Sequence, residues 1–231
     1  MKRMARLIAI GDIHGHLDKL NQLLRKVEPS VEDRLVFLGD YIDRGPDSKG
    51  VVDRLIAIKK QFPETIFLRG NHDQMLLDAL IEIGALEGER LRDFSPVFAA
   101  GVEMSDLEVF LLNGGQTTLA SYNISSLRDG LPEKHLAFIR ETLFLWRFEQ
   151  FTFVHAGIEA GVPLEQQDAE FLLWQRYAEP GRDGEIHVVG HHPTINNLPL
   201  FEEGRYSLDT GVAYGRVLTA CDVFTKQCWQ V

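Results

Sequence analysis

A chain of 231 residues, 45% apolar and 25% charged, has the balance of a water-soluble globular protein and can bury a core without cross-links. A net charge of −10 and the lack of any basic run exclude a general nucleic-acid footprint. The N-terminal apolar run, Leu7 to Ile10, is too short for a secretory leader or a membrane span, so the chain reads as cytoplasmic and unattached to membrane.

Leu7–Ile10 reads as a first strand, Leu35–Leu38 as a second and Thr65–Leu68 as a third. Continuous apolar runs of this length suit parallel strands buried on both faces. Between them, Leu17, Leu20, Leu23, Leu24 and Val27, and then Val51, Val52, Leu55, Ile56 and Ile58, recur at helical spacing. The order β-α-β-α-β implies a parallel sheet with right-handed crossovers. A third helix is expected over about Gln74–Ile83. Residues Gly84–Asn113 lack clean periodicity and read as an insertion or partly helical cap. Pro132–Leu143 looks helical again. Beyond it, "FTFVHAG", "IHVVGHH", "RYSLDTG" and "RVLTACDVF" read as short strands, with hairpin turns at "FEEGRY" and "FTKQCW". Residues 1–231 thus read as a single domain: parallel βαβ units, then a mostly antiparallel second sheet packed against them. Cys221 and Cys228 fall in the last hairpin and read as free thiols in a reducing compartment.

The polar residues directly after these strands carry the chemistry. They are Asp12 and His14 in "GDIHG", Asp40, Asp43 and Arg44 in "GDYIDRG", and Asn71 and His72 in "GNHD". His155 in "VHAG", His191 in "GHH" and Asp209 in "LDTG" complete the set. The carboxyl ends of neighbouring strands form the ligand crevice of an open α/β sheet, so these residues should converge. Carboxylate, imidazole and amide donors without thiolate suit Mn²⁺, Fe or Zn²⁺ rather than a thiolate site or an all-oxygen Ca²⁺ cage. The donors are too many for one ion. Asp12 and His14 can bind one metal and Asn71, His155 and His191 a second, with Asp40 between them; a pair of ions about 3.5–4 Å apart can clamp a phosphoryl group. Taken alone, "GDYIDRG" also suits an Asx-type turn with an Asp43–Arg44 surface pair.

The ordered motifs "GDIHG", "GDYIDRG", "GNHD", "VHAG" and "GHHPT" resemble those of the calcineurin-like metallophosphoesterases. Within that family they look most like the PPP-type serine/threonine phosphatases, above all the compact bacterial and phage-type members. The similarity runs from about Leu7 to the C-terminus, and "NHDQMLLDAL", "LLNGG", "LLWQR" and "YSLDTGVAYGRVL" add context. The resemblance implies an α/β, αββα sandwich of two mixed β-sheets flanked by helices, with a di-metal site at the strand ends. It implies two divalent ions, Mn²⁺ foremost and Fe or Zn²⁺ otherwise. Asp12 and His14 would bind the first, Asn71, His155 and His191 the second, and Asp40 would bridge. His72 would be the general acid for attack by a metal-bridging hydroxide. Asp43 would orient the His72 ring and keep it protonated, while Arg44, Arg176 and Asn71 would hold the phosphate.

The implied substrate is a phosphorylated protein or a small phosphoester. A symmetrical dinucleoside-polyphosphate hydrolase of the same superfamily is the alternative. "GNHD" and "LDTG" fit it, but such hydrolases commonly lack an aspartate at the position of Asp43. Retention of the whole residue set speaks against a non-catalytic binding module. Oligomeric state is not legible from these residues.

Overall fold

Strand β1 (Leu7–Ile10) is wholly buried, yet its side chains serve two interiors. Ile8 and Ile10 face helices, while Leu7 and Ala9 face a second sheet, as the two-residue period of a strand requires. The computed structural model describes residues 5–91, 104–176 and 179–231. In the first sheet β1 runs parallel to β2 (Arg34–Phe37), and β2 parallel to β3 (Ile66–Phe67). The second sheet has the order β4-β5-β6-β8-β7, formed by Leu145–Phe148, Phe151–Val154, Ile186–Val189, Arg205–Ser207 and Leu200–Glu202. Antiparallel β9 (Thr219–Asp222) and β10 (Cys228–Gln230) complete the first sheet beside β1.

Helices α1 (Leu17–Val27), α2 (Ser48–Gln61), α3 (Asn71–Glu82), α4 (Asp106–Phe110), α5 (Gln116–Tyr122) and α6 (Glu133–Arg140) cover the outer face of the first sheet. The apolar stripe of α1, Leu20, Leu23, Leu24 and Val27, is the helical periodicity turned inward. Each fully buried residue such as Leu20 or Leu55 contributes about 1.5–3 kcal/mol relative to exposure. Leu7, Ala9, Val36, Leu38, Phe151, Phe153, Val188 and Tyr206 interlock between the sheets. On the far face of the second sheet, Val154, Ile158 and Val189 pack with Leu172 of α7 (Ala169–Trp174). The layers are therefore helix, sheet, sheet, helix, the α/β sandwich expected.

Three readings are corrected. The second sheet is mixed rather than mostly antiparallel, because β5, β6 and β8 run parallel. The segment between β5 and β6 carries α7 and is long enough for the crossover that parallel pairing needs. The last two strands join the first sheet, not the second. Cys221 and Cys228 are directly opposed in the β9–β10 ladder and form a disulfide. Strand register, not cysteine count, brought them together, and the case for a reducing compartment built on free thiols falls with it. Of the expected cap, residues 92–103 lie outside the described residues; 104–113 form α4 and the start of a tight turn into α5. Among the described residues no helix is long and apolar enough to cross a membrane.

Candidate active site

Helix α3 begins at Asn71, three residues earlier than its periodicity suggests. Asn71 and His72 therefore sit in its first turn. Gly70 makes this possible: a Cβ there would lie 2.1 Å from Asp40 Oδ1 and 2.2 Å from Asp40 N. Asp73 fastens the same corner. Its carboxylate accepts the N–H groups of Gly70, Asp40 and Tyr41 at 2.9, 2.9 and 3.1 Å. His14, Asp40, Asp43, Arg44 and His191 all have positive φ, between 45° and 69°. Such conformations cost non-glycine residues energy and cluster where side chains must be aimed rather than relaxed.

Asp40 is the centre of the arrangement. Its Oδ2 lies 3.3 Å from His14 Nε2, its Oδ1 lies 3.5 Å from His155 Nε2, and Oδ1 also accepts the His72 N–H at 2.9 Å. Burial works against its charge, but the surrounding His155, His72 and His14 rings hold its carboxyl well below the usual range. Asp12 behaves oppositely. Burial, then the neighbouring Asp209 and Asp40, push it well above the usual range, although both its oxygens face the His191 N–H at 3.1 and 3.3 Å. Asn71 Oδ1 lies 2.9 Å from His155 Nε2 and 3.1 Å from His191 Nδ1.

The donors form two overlapping groups that could hold metal. One contains His14, Asp40 and His72, the other Asp40, His155 and His191, with ligand atoms within 4.8 Å of one another. Asp40 belongs to both. The tautomers fit cations as well. His14 Nδ1 is 3.0 Å from the Ile42 carbonyl and His155 Nδ1 is 2.8 Å from the Leu38 carbonyl, so each Nδ1 carries the hydrogen. In the neutral rings Nε2 then turns a lone pair toward carboxylate or amide oxygen. Two acceptors facing each other call for a positive charge between them. In His14 burial lowers the pKa but the Asp40 carboxylate outweighs it, and the ring ends above its usual value. Burial and the adjacent His155 bring His191 down to about 3, keeping it neutral and free to donate electrons.

Beside this centre, His72 Nδ1 lies 2.8 Å from Asp43 Oδ2, both side chains almost completely buried. Burial pushes Asp43 up to about 8 even though Thr118 hydrogen-bonds to it, and burial drives His72 well below its usual value. Desolvation favours one proton shared between Oδ2 and Nδ1 over a pair of full charges. Arg44 stands at the rim, with Nη1 3.5 Å from His14 Nε2 and its guanidinium over the exposed Tyr214 ring.

A sequence model of calcineurin-like phosphoesterases matches residues 5–218. The chain belongs to that family. Calcineurin-like phosphoesterases are hydrolases, and divalent metals are the family's cofactors. A serine/threonine-protein phosphatase, provisionally so named, from Caenorhabditis elegans is 42% identical over 65 residues, 28% of this phosphoesterase and 18% of the relative. A second such protein, from Schizosaccharomyces pombe, is 41% identical over 29% of this chain and 22% of its own length. The chain therefore spans about a fifth of these two relatives. A symmetrical bis(5'-nucleosyl)-tetraphosphatase of Coxiella burnetii is 26% identical across 96% of this chain and 90% of its own. Among solved structures, a protein provisionally named a diadenosine tetraphosphatase superposes with a TM-score of 0.69 at 21% identity, covering 100% and 94% of the two chains. A cold-active protein-tyrosine phosphatase of a psychrophilic Shewanella gives 0.62 at 17%, covering 99% and 80%. At these identities the structures establish the shared fold.

Of the residues singled out by sequence, Asp12, His14, Asp40, Asp43, Asn71, His72, His155 and His191 converge in the phosphoesterase, with Arg44 at their edge. Arg176 is exposed after α7 and lines one pocket with Gly190 and His192. Ser48 and Thr118, both completely buried against Asp43, went unread. The "LLNGG" context before Thr118 was the available signal.

Proposed function

We propose that this phosphoesterase is a metal-dependent phosphomonoesterase acting on phosphoserine or phosphothreonine in proteins. The buried Asp43–His72 pair at 2.8 Å carries the reading. An alkoxide leaving from serine or threonine must be protonated, whereas a nucleoside diphosphate leaves unaided. His72 gives its Nε2 hydrogen to the leaving oxygen. The proton shared between Asp43 Oδ2 and His72 Nδ1 then settles on Nδ1, so the ring stays neutral throughout. This use of both nitrogens is the reason for treating His72 as acid rather than ligand, although it lies beside His14 and Asp40.

Asp12, His14 and Asp40 would hold one cation, and Asp40, Asn71, His155 and His191 another. When bound, the pair supplies Lewis-acid charge for the phosphoryl oxygens and activation of water. Mn²⁺ is the proposed native ion; the same donors accept Fe or Zn²⁺. Arg44 orients the phosphate from the rim, and Arg176 is the second guanidinium assigned to it.

A second reading, symmetrical hydrolysis of dinucleoside polyphosphates, draws on the Coxiella relative, which is matched over 90% of its length. Incubating the Mn²⁺-loaded enzyme with phosphoserine and phosphothreonine peptides should release inorganic phosphate. Cleavage of diadenosine tetraphosphate to ADP, with no phosphate released from any peptide, would replace the first reading by the second.

A further inference from the structure

The chain that forms the acid pair is held only in part by its own loop, through the Gly45 N–H to the Asp43 carbonyl at 2.7 Å and through Ser48. Asp43 and Arg44 both have positive φ, 69° and 67°, so this corner needs an external brace. The brace is the start of α5. Thr118 Oγ1 donates to Asp43 Oδ1 at 2.6 Å, from a position 75 residues along the chain. The same oxygen receives the Asp43 N–H at 3.0 Å. Ser48 Oγ lies 2.9 Å from Thr118 Oγ1 and also faces the Asp43 N–H, at 3.1 Å. Since the single Thr118 hydrogen goes to the carboxylate, Ser48 must donate to Thr118, which fixes every hydrogen in the group.

At the kink just before α5, Gly114 completes the clamp. Its carbonyl faces the Arg44 N–H at 3.4 Å, and its φ is 109°. A Cβ on Gly114 would lie 2.8 Å from Arg44 Cγ and 2.9 Å from Arg44 N. Gly114 stands at the kink before α5 and Thr118 in the first turn of α5, and both meet the Asp43–Arg44 corner through their own contacts. The "LLNGG" turn and Thr118 make one surface that seats Asp43 and Arg44 together.

We propose that Thr118 is a positioning residue for the acid step: its hydroxyl pins Asp43 Oδ1 so that Oδ2 alone meets His72. Resting on the phosphomonoesterase reading, this adds to it a group that touches neither substrate nor metal donors. Without that bond the carboxylate can rotate about its Cβ–Cγ axis and lose its alignment with Nδ1.

Thr118→Val keeps shape and removes only the hydroxyl. Expected is a fall of about 10- to 100-fold in kcat on a phosphoserine peptide, the range for one hydrogen bond to a charged group. On p-nitrophenyl phosphate, whose leaving group needs no proton, the fall should stay within about threefold, with KM unchanged on both. Thr118→Ser should restore the peptide rate. Thr118→Ala compared with Thr118→Ser isolates the hydroxyl a second time if valine does not fit. Equal losses on the two substrates, or wild-type peptide turnover in both hydroxyl-free variants, would overturn the assignment. Asp43→Asn measured alongside separates the two levels. If Asp43→Asn is selective for the peptide and the Thr118 variants are not, only the brace fails. If Asp43→Asn shows no selectivity, the acid pair fails and the brace falls with it.

Discussion

Replacing Asp43 by asparagine tests the acid pair with almost no change of volume. The Asp43 Oδ1 contact to Thr118 can persist, and the amide nitrogen can still reach His72 Nδ1. What an amide cannot do is hold a proton and pass it to Nδ1 as Nε2 gives up its own. The lost interaction is a buried, charge-assisted hydrogen bond worth about 1.5–3 kcal/mol. At 1.36 kcal/mol per decade that corresponds to about a 10- to 150-fold loss in rate. The loss should fall on leaving groups that need protonation. Steady-state kcat/KM is to be measured on a phosphoserine peptide, phenyl phosphate and p-nitrophenyl phosphate at fixed Mn²⁺. Sensitivity to leaving-group basicity should steepen in the variant, with p-nitrophenyl phosphate nearly unaffected. Parallel losses on all three would remove proton delivery from the role of Asp43.

His72→Asn should lower peptide turnover by about two to four orders of magnitude, the range for general acid–base catalysis, while metal content measured after gel filtration stays at the wild-type level. Asp40→Asn strikes the one residue common to both donor groups. It should leave less than one tightly held ion per chain by elemental analysis, and two retained ions would contradict the shared position of Asp40. A third test concerns stability rather than catalysis. Burial alone would raise Asp33, but its hydrogen bonds from the Arg6 side chain and from the Ser30 and Arg6 N–H groups hold it at about 2. A carboxyl lowered on folding stabilises the protein above its unfolded pKa and loses that contribution as pH falls toward the folded value. Asp33 should therefore contribute roughly 2 kcal/mol at pH 6, declining between about pH 4 and 2. In urea titrations the stability gap between wild type and Asp33→Asn should shrink on going from pH 5 to pH 3. A gap independent of pH would show that Asp33 acts through shape alone.

The donors of the metal centre were legible because each follows an apolar strand by one to four residues. Topology then does the converging: β1, β2, β5 and β6 end at one crevice. Asn71 was legible as a donor but not as part of a helix, because α3 starts on a glycine corner set by Asp73 and Asp40, contacts reaching back across the chain to β2. Thr118 was marked only by the "LLNGG" context before it. Its partner is 75 residues away, and only packing of α5 on α2 joins them. The disulfide was hidden for a similar reason, since a two-cysteine count says nothing about cross-strand register. Arg176, read from "LLWQR", shows the converse: a matching motif fixes a neighbourhood, while the direction of an exposed side chain depends on what surrounds it.

The most direct measurement is kcat/KM for a phosphothreonine peptide and for diadenosine tetraphosphate on one Mn²⁺-loaded preparation, wild type and His72→Asn side by side. The acid pair predicts that the wild type prefers the peptide and that His72→Asn loses far more on the peptide than on the dinucleotide. A wild-type preference for diadenosine tetraphosphate, with equal losses on both substrates in His72→Asn, would contradict it.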